Sequence, residues 1–264
     1  KKTDLQHVIL NLGFTTSDRT SDASLTFRSP ELLTGYRFSS GKANQKVFFA
    51  MQFSRPIRHH EFFLSDETDG INNAKGKNVA GAFTFDGKES NELLIKVAIS
   101  SVSEEGALTN LKTADQFRWN FDQMHQSTRT KWNDELSKIA ITTTDDTKKT
   151  IFYTSLYHCY VAPYRFSDAD GMYKNFNNVP EKAEGYTHYT LLSLLDTFRA
   201  ENPLLILMQP RLEENIIHSM LAKYWQTGEL PYWEISGQEG GSMIGYHAAV
   251  LMADALAKKV GKYD

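Results

Sequence analysis

The sequence changes character near residue 103, and this change limits the folds that the chain can adopt. Before it, short segments rich in valine, isoleucine, phenylalanine and tyrosine alternate between apolar and polar residues, as β-strands do. After it, apolar residues recur at helical spacing. The sequence therefore predicts a two-domain α+β protein, with all or part of an antiparallel β-sandwich over 1–102, a helical linker over 103–147 and a helical domain over 148–264.

Seven segments of the first region predict strands. Turn-forming residues separate several of them, most clearly DGINNAKGKN at 69–78 and DGK at 86–88. The predicted strands are HVILNL, SLTFR, GYRFSS, KVFFAMQF, HEFFLS, GAFTF and ELLIKVAISS.

The helical region begins at SEEGALTNL, where Ser103 precedes two acidic residues, as is typical of a helix start. A long polar and aromatic connection over 163–187 interrupts the helical pattern. The other predicted helices lie in FRWNFDQMHQSTRTKWNDELSKI, TIFYTSLYHCYVAP, HYTLLSLLDTFRAENPLLILM, RLEENIIHSMLAKYWQTG and MIGYHAAVLMADALAKKV.

Composition and missing motifs exclude several classes of function. The net charge of −3 and the pI near 6.3 give no basic surface for nucleic acid. No apolar run reaches the roughly 18 to 20 residues of a membrane span. A single cysteine, Cys159, excludes an internal disulfide and fits no cysteine-rich zinc site. The chain contains no HExxH motif, phosphate-binding loop, serine elbow or dinucleotide fingerprint.

One aspartate and one arginine interrupt the apolar run SLLDTFRAENPLLILMQP. Asp196 and Arg199 are three positions apart, so on a helix they would lie on one face within reach of each other. Buried charges are costly unless they are paired or used in function. The pair is therefore a candidate for structure, for function, or for both.

The glycine-rich stretch 228–247 contains Trp233 and two acidic residues, Glu234 and Glu239, before a predicted helix. Two carboxylates in a cleft could act as acid and base in glycoside hydrolysis, but the sequence does not give their separation. Glu234 could equally form a cap or ion pair, and Glu239 could complement the helix dipole. His247, one turn into the helix, has two interpretations as well, a core residue or a ligand contact.

The segment FSDADGMYKNF at 166–176 also has two interpretations. Its aspartates and glycine favour a capped turn, whereas Phe166, Tyr173 and Phe176 could stack on a sugar. The spacing does not fit an EF-hand calcium loop.

In chain order, these segments resemble glycoside hydrolase family 92, the calcium-dependent exo-α-mannosidases. The resemblance is carried by FYTSLYHCYVAPYRFSDADGMY, LLSLLDTFRAENPLLILMQP and SMLAKYWQTGELPYWEISGQEGGSMIGYHAAVLMADAL, and more loosely by HVILNL, GYRFSSGKANQKVFFAMQFSRP and VAISSVSEEGALTNL. It implies a β-sandwich joined by linker helices to an (α/α)6 barrel, with the present chain contributing a partial sandwich and the first barrel helices. The chain is accordingly expected to be truncated at both ends.

The resemblance implies that Asp196 faces the terminal mannose and that Arg199 keeps its carboxylate ionised. The residues expected to bind substrate are Asp196, Arg199, Trp233, Glu239 and His247. The family's catalytic acid, its base and its calcium ligands are expected C-terminal to this chain. No catalytic or metal-binding residue is therefore assigned here, and the pair Glu234 and Glu239 is not nominated.

Five residues depart from the family pattern. Leu195 and Lys42 stand where the family usually has tryptophan, and Gly240, Gly241 and Ser242 replace a threonine, a polar residue and a cysteine. These replacements remove side chains near the expected pocket and leave its preference for a linkage open.

The function expected from the resemblance is that of an inverting, calcium-dependent exo-α-mannosidase, of the α-1,2 type, acting on mannose-containing glycans in the periplasm, in secreted form or at the cell surface. This fragment alone is expected to be inactive and to associate with itself. A non-catalytic carbohydrate-binding protein of the same architecture is the alternative, and inverting disaccharide phosphorylases share the fold.

Overall fold

The structure is a computed structural model of the chain, and it describes residues 4–16, 18–41, 44–63, 67–69, 72–88 and 92–261. These residues divide into two compact units. The first contains residues up to 119 together with 168–173, and the second contains 120–167 together with residues from 174 onward. The segment predicted as a helical linker is shared between the units, and the predicted domain limits remain predictions.

The described part of the first unit contains nine strands, in chain order β1 (Leu5–Asn11), β2 (Arg19–Ser29), β3 (Leu32–Ser40), β4 (Gln45–Phe53), β5 (His59–Phe63), β6 (Glu67–Asp69), β7 (Asn73–Gly76), β8 (Ala80–Asp86) and β9 (Ile95–Ser100). They form two antiparallel sheets. The six-stranded sheet has the order β6-β7-β2-β3-β4-β9, and the three-stranded sheet has the order β1-β8-β5.

The two sheets pack around one apolar core because side chains alternate between the faces of each strand. Leu25 on β2 and Phe83 and Phe85 on β8 are fully buried in a single cluster. Gly35 on β3 allows β2 to approach closely, since a Cβ there would lie 2.0 Å from the carbonyl oxygen of Ser24. The predicted β-sandwich is thus present in the first unit.

The stretch 69–78, predicted as a turn, contains a strand. β7 pairs with β2, with Ala74 opposite Leu25, and Ala74 is buried in the core. Burial and pairing with a neighbour override the low strand propensity of asparagine and glycine here. Lys42, residues 64–65 of the segment HEFFLS, and residues 70–71 lie outside the described residues.

A helix, α1 (Glu104–Thr113), completes the first unit. The Ser103 hydroxyl caps its start by accepting a hydrogen bond from the backbone N–H of Gly106 at 2.9 Å. Ala107 and Leu111 are buried against Ala50 of β4. The helix start predicted at SEEGALTNL is therefore confirmed.

The described part of the second unit is mainly helical, with α2 (Phe121–Leu136), α3 (Asp146–His158), α4 (Leu194–Thr197), α5 (Glu201–Met208), α6 (Pro210–Thr227) and α7 (His247–Ala257). The Asp145 carboxylate caps α3, and Gly228, at a φ of 80°, ends α6 in the left-handed conformation. α5, α6 and α7 contribute to one core, which includes Leu205, Ile216, Ile217, Met220 and Leu251. The α+β class is confirmed, while closure into an (α/α)6 barrel remains a prediction.

Seven short strands lie among these helices, β10 (Tyr164–Arg165), β11 (Met172–Lys174), β12 (Pro180–Lys182), β13 (Tyr189–Thr190), β14 (Leu192–Ser193), β15 (Trp233–Ile235) and β16 (Gln238–Glu239). β10 pairs with β13, β11 pairs with β12, and the order β14-β15-β16 forms a three-stranded sheet. None of the helices in the described ranges is both long and apolar enough to cross a membrane.

The continuous helix predicted over 188–208 is wrong, because this segment folds as β13, β14, α4 and α5. Pro203 has no N–H to donate and its ring would clash with the preceding turn of a longer helix, so it fits only the first turn of α5. Leu191 adopts a positive φ of 67°, which also interrupts a helix. Pairing of Leu192 with Glu234 completes the change from helix to strand.

The segment 166–176 forms a capped turn. The buried Asp168 carboxylate accepts hydrogen bonds from the Ser100 hydroxyl at 2.6 Å and the Asn110 side-chain amide at 2.8 Å. Asp170 accepts from the backbone N–H of Met172 at 3.0 Å. Tyr173 is fully buried and thus presents no surface for a sugar.

Candidate functional site

A cavity of about 630 Å³ lies within the second unit. Its apolar lining includes Val161, Pro163, Leu192, Leu194 and Ile216. Its polar lining comes from the end of α3, from the segment that joins β13 to α5, and from β15, and comprises His158, Ser193, Asp196, Thr197, Glu201, Asn202 and Trp233. A concave, mostly apolar site with a few polar groups is typical of small-molecule binding sites.

Asp196 lines this cavity from the single turn α4, which follows β14 directly. Its side chain is exposed. The Ser193 hydroxyl donates a hydrogen bond to Asp196 Oδ2 at 2.6 Å, which orients the carboxylate. Oδ1 has no hydrogen bond to any described residue, so it can accept one from a ligand hydroxyl.

Arg199 lies beyond the end of α4 and is exposed. Its Nη2 donates to the carbonyl oxygen of Leu195 at 3.4 Å, and its guanidinium lies 5.2 Å from the centre of the Phe198 ring. The expected ion pair with Asp196 is absent from the contacts of the described residues, because the short helix ends between the two residues. A role of Arg199 in sugar binding remains a prediction.

Trp233 lies on β15 opposite Ser193 of β14, which places an aromatic ring beside the Asp196 segment. Gly240 packs against this ring. A Cβ at residue 240 would lie 2.4 Å from Trp233 Cε3 and 3.0 Å from the Trp233 carbonyl oxygen. Glycine at this position, one of the departures from the family pattern, therefore fits the observed placement of Trp233.

Glu239 on β16 binds protein groups with both carboxylate oxygens. Oε1 accepts from the backbone N–H of Trp233 at 2.7 Å, and Oε2 accepts from that of Tyr232 at 3.1 Å. The buried ammonium of Lys223 lies 2.8 Å from Oε2. Glu239 is not among the residues that line the cavity, and its predicted contact with substrate remains a prediction.

Glu234 is buried and its carboxylate is held by three donors. The Thr190 hydroxyl lies at 2.7 Å, the Leu191 N–H at 2.9 Å and the Gly237 N–H at 2.6 Å. Removal from water raises the pKa of this carboxyl from 4.5 to about 7, against the opposing effect of the donors. These contacts support the structural interpretation of Glu234.

His247 begins α7 and stacks on Phe198, with ring centres 4.2 Å apart and planes 16° apart. Gly245, at a φ of 92°, allows the chain to pass the imidazole, because a Cβ there would lie 2.4 Å from His247 Nε2. The ring is half-buried and does not line the cavity. The structure thus brings Asp196 and Trp233 together at the cavity, whereas Arg199, Glu239 and His247 do not line it.

Sequence reasoning missed Glu201 and Asn202 at the start of α5, which both line the cavity. Burial raises the pKa of the Glu201 carboxyl from 4.5 to about 7. Asn202 is buried, and its Nδ2 donates to both carboxylate oxygens of buried Glu213 at 3.2 Å. The only available signal was the polar pair immediately before Pro203, which marks a helix start.

Within the described ranges, no group of three or more histidine, cysteine, aspartate or glutamate side chains could hold a metal ion. Calcium takes six to eight oxygen ligands. The described residues offer no such cluster of ligands, and the calcium ligands that the resemblance places C-terminal to this chain remain a prediction.

Two family profiles cover nearly the whole chain. The glycosyl hydrolase family 92 N-terminal domain matches residues 1–100, and the glycosyl hydrolase family 92 catalytic domain matches residues 106–264. No significant match was found among curated proteins.

Solved structures of family 92 enzymes are also similar to this chain. A family 92 α-mannosidase from Bacteroides thetaiotaomicron is 33% identical, with a TM-score of 0.92 over 100% of this chain and 37% of that chain. Its complex with mannoimidazole gives a TM-score of 0.91 at 33% identity, over 100% of this chain and 36% of that chain.

A family 92 inverting mannosidase from B. thetaiotaomicron VPI-5482 shares the fold, with a TM-score of 0.86 at 24% identity over 98% of this chain and 35% of that chain. This chain thus spans little more than a third of the length of these proteins. With its two profile matches, the chain belongs to glycosyl hydrolase family 92.

Proposed function

We propose that this chain forms part of the mannose-binding region of an exo-α-mannosidase that removes terminal α-mannose from glycans. The cavity that joins the Asp196 carboxylate to Trp233 supports this function most directly. The carboxylate can accept hydrogen bonds from sugar hydroxyls, and the aromatic ring can pack on an apolar sugar face. The relative that binds mannoimidazole supports a sugar as the ligand class.

The reaction is proposed to invert the anomeric configuration and to favour α-1,2 linkages. Inversion requires well-separated carboxyl groups, so that a water molecule fits between the base and the anomeric carbon. Glu234 and Glu239 are not proposed for these roles, since both are held by backbone and side-chain donors. The acid and base are proposed to come from residues outside this chain.

Calcium is proposed as a requirement of the whole enzyme, with its ligands outside the described residues. The same proposal places the enzyme in the periplasm, in secreted form or at the cell surface. This chain alone is proposed to lack turnover and to associate with itself through apolar side chains exposed on its helices, among them Leu207, Trp225, Val250 and Leu256.

The test is hydrolysis of an aryl α-mannoside and of α-linked mannobioses by the full-length protein, with calcium and with a chelator. Asp196→Asn should lower kcat/KM by about tenfold to a thousandfold, because a charged acceptor is lost at the sugar. Asp122→Asn, at an exposed position of α2, is the matched control and should leave kcat/KM unchanged.

NMR of the first-formed sugar anomer measures inversion directly. Mannoside binding without turnover would instead support the alternative of a non-catalytic carbohydrate-binding protein. Phosphate-dependent turnover would indicate a phosphorylase, and equal activity of Asp196→Asn and wild type would refute the assignment of Asp196.

A further inference from the structure

The segment that carries Asp196 to the cavity has little regular structure of its own. β14 has two residues, and α4 has four residues and forms a single turn. Just before them, Leu191 adopts a φ of 67°, a left-handed backbone conformation that residues other than glycine rarely adopt. Such a conformation persists only where neighbouring groups hold it in place. The contacts around Leu191 therefore influence where Asp196 lies.

A buried pair, Thr190 and Glu234, supplies these contacts. Glu234 Oε2 accepts from the Leu191 N–H at 2.9 Å, and Glu234 Oε1 accepts from the Thr190 hydroxyl at 2.7 Å. The same hydroxyl accepts a hydrogen bond from the Ser236 N–H at 2.7 Å, so it joins β13 to the turn after β15 as donor and as acceptor. Thr190 is 0% exposed and Glu234 is 1% exposed. Loss of this hydroxyl would therefore leave buried polar groups without a partner, which is costly.

The buried pair is connected to the Asp196 carboxylate by a short run of strand pairing. Leu192 of β14 lies opposite Glu234 of β15, and Ser193 lies opposite Trp233. The Ser193 hydroxyl then donates to Asp196 Oδ2 at 2.6 Å. Neither residue of the buried pair lines the cavity, so the pair can influence a ligand there only through the residues that it holds.

We propose that Thr190 and Glu234 are positioning residues of the sugar site, which fix the backbone at Leu191 and thereby set the direction of the Asp196 carboxylate. This inference rests on the proposed mannosidase function and adds to it two residues that lie outside the cavity lining. A displacement of about 1 Å can lower the rate of an enzyme by about a hundredfold, so even a small movement of this backbone should change kcat/KM.

The test is a double-mutant cycle on the full-length protein, with kcat/KM for an aryl α-mannoside as the measurement. Thr190→Val keeps the shape of the side chain but removes the hydroxyl, so it should lower kcat/KM by at least about fivefold. Thr190→Ser retains the hydroxyl and should remain within about twofold of wild type. Because the pair acts through Asp196, adding Thr190→Val to Asp196→Asn should lower kcat/KM by less than a further factor of about two.

Thr34→Val in β3 is the matched control. Thr34 is also 0% exposed, and its hydroxyl likewise donates to a carboxylate, that of Glu104, and accepts from Arg28 Nε. This variant loses equivalent hydrogen bonds away from the cavity lining, so it should leave kcat/KM unchanged even where it lowers stability. Circular dichroism verifies that each variant is folded at the assay temperature.

Glu234→Gln gives an independent test of the same pair, because its amide nitrogen cannot accept from a backbone N–H. It should show the same coupling to Asp196→Asn, and it replaces Thr190→Val if the valine variant does not fold. Equal losses with and without Asp196→Asn, or no loss in either background, would overturn the positioning role and leave the mannosidase function intact. A full-length wild type that does not hydrolyse mannosides would overturn both.

Discussion

Gly240 shows how a single residue determines the placement of an aromatic side chain at the cavity. The space that a side chain would occupy at position 240 is filled by the Trp233 ring and by the Trp233 carbonyl oxygen. The ring edge could shift, but the carbonyl belongs to the paired strand β15 and has little freedom to move. A methyl group at position 240 should therefore displace the indole from its place beside Ser193.

Gly240→Ala is expected to lower the free energy of unfolding by about 1–3 kcal/mol, because the added methyl group overpacks the site. Urea unfolding measures the loss, and near-ultraviolet circular dichroism reports the moved indole. Gly41→Ala is the control, since a Cβ there meets its nearest atom at 3.8 Å, an ordinary contact. Equal stability of the two variants would contradict the crowding at Trp233.

The residue scale is also where sequence reasoning was least complete. Asp196 and Trp233 could be singled out from the motifs that contain them, and the cavity brings them together. Glu201 and Asn202 could not, because their place in the cavity wall depends on neighbours such as Glu213 that are distant in sequence.

At the scale of elements, the hairpin of β15 and β16 is fixed to α6 by one buried cation. Lys223 of α6 is 3% exposed, and its ammonium donates to the Leu230 carbonyl oxygen at 3.1 Å and to Glu239 Oε2 at 2.8 Å. Breaking a buried ion pair from one side leaves the other charge without its partner, which is more costly than losing an exposed pair.

Lys223→Met is expected to lower the free energy of unfolding by about 2–4 kcal/mol, because Glu239 and the Leu230 carbonyl both lose a donor. Urea denaturation measures this change. Lys258→Met removes an exposed pair with Asp254 and should cost less than about 1 kcal/mol. A loss at Lys223 as small as that at Lys258 would show that the buried pair contributes little.

Elements marked by patterns among residues close in sequence could be predicted, whereas elements formed by contacts between distant residues could not. The strands of the sandwich and helix α6 have clear periodicity and local end signals such as Gly228, and they could be predicted. The region 188–208 could not, because its leucines suit a helix or a strand equally well. Pairing with β15, about forty residues later in the chain, makes part of this segment a strand.

At the scale of the whole molecule, burial raises the pKa of several acidic groups in the second unit, whereas a hydrogen bond lowers the pKa of one partly exposed acidic group in the first unit. In the second unit, burial raises the pKa of Glu201, Glu213 and Glu234 from 4.5 to about 7 in each case. In the first unit, a hydrogen bond from Arg37 lowers the pKa of Asp18 to about 2. The raised pKa values change the free energy of unfolding between about pH 4.5 and 7, and the lowered pKa of Asp18 changes it below about pH 4.

The raised pKa values of these three carboxyl groups are therefore expected to lower the free energy of unfolding as pH rises from 4.5 to 7, partly offset by His188, whose pKa burial lowers to about 3. A carboxyl with a raised pKa binds more protons in the folded than in the unfolded state across that window, so its contribution is complete at low pH and is lost toward pH 7. Glu213→Gln should reduce the fall by up to about 3 kcal/mol, since its pKa rises from 4.5 to about 7 on folding and each pKa unit corresponds to about 1.4 kcal/mol.

Urea midpoints at pH 5 and pH 7.5 test this expectation. Glu214→Gln, next in sequence and paired with Arg211 at the surface, is the control and should keep the wild-type dependence. An unchanged pH dependence in Glu213→Gln would show that the buried carboxyl does not titrate in this range.

The bend that the Glu234 carboxyl holds in place limits which positions near the cavity can accept substitutions. The Glu234 carboxyl accepts hydrogen bonds from Thr190, Leu191 and Gly237, so the bend before Asp196 depends on a side chain that does not line the cavity. Substitutions on the rim of the cavity can change its lining without disturbing these three hydrogen bonds, whereas a substitution at position 234 removes all three. Screens for altered ligand preference should accordingly recover rim substitutions and find position 234 nearly invariant.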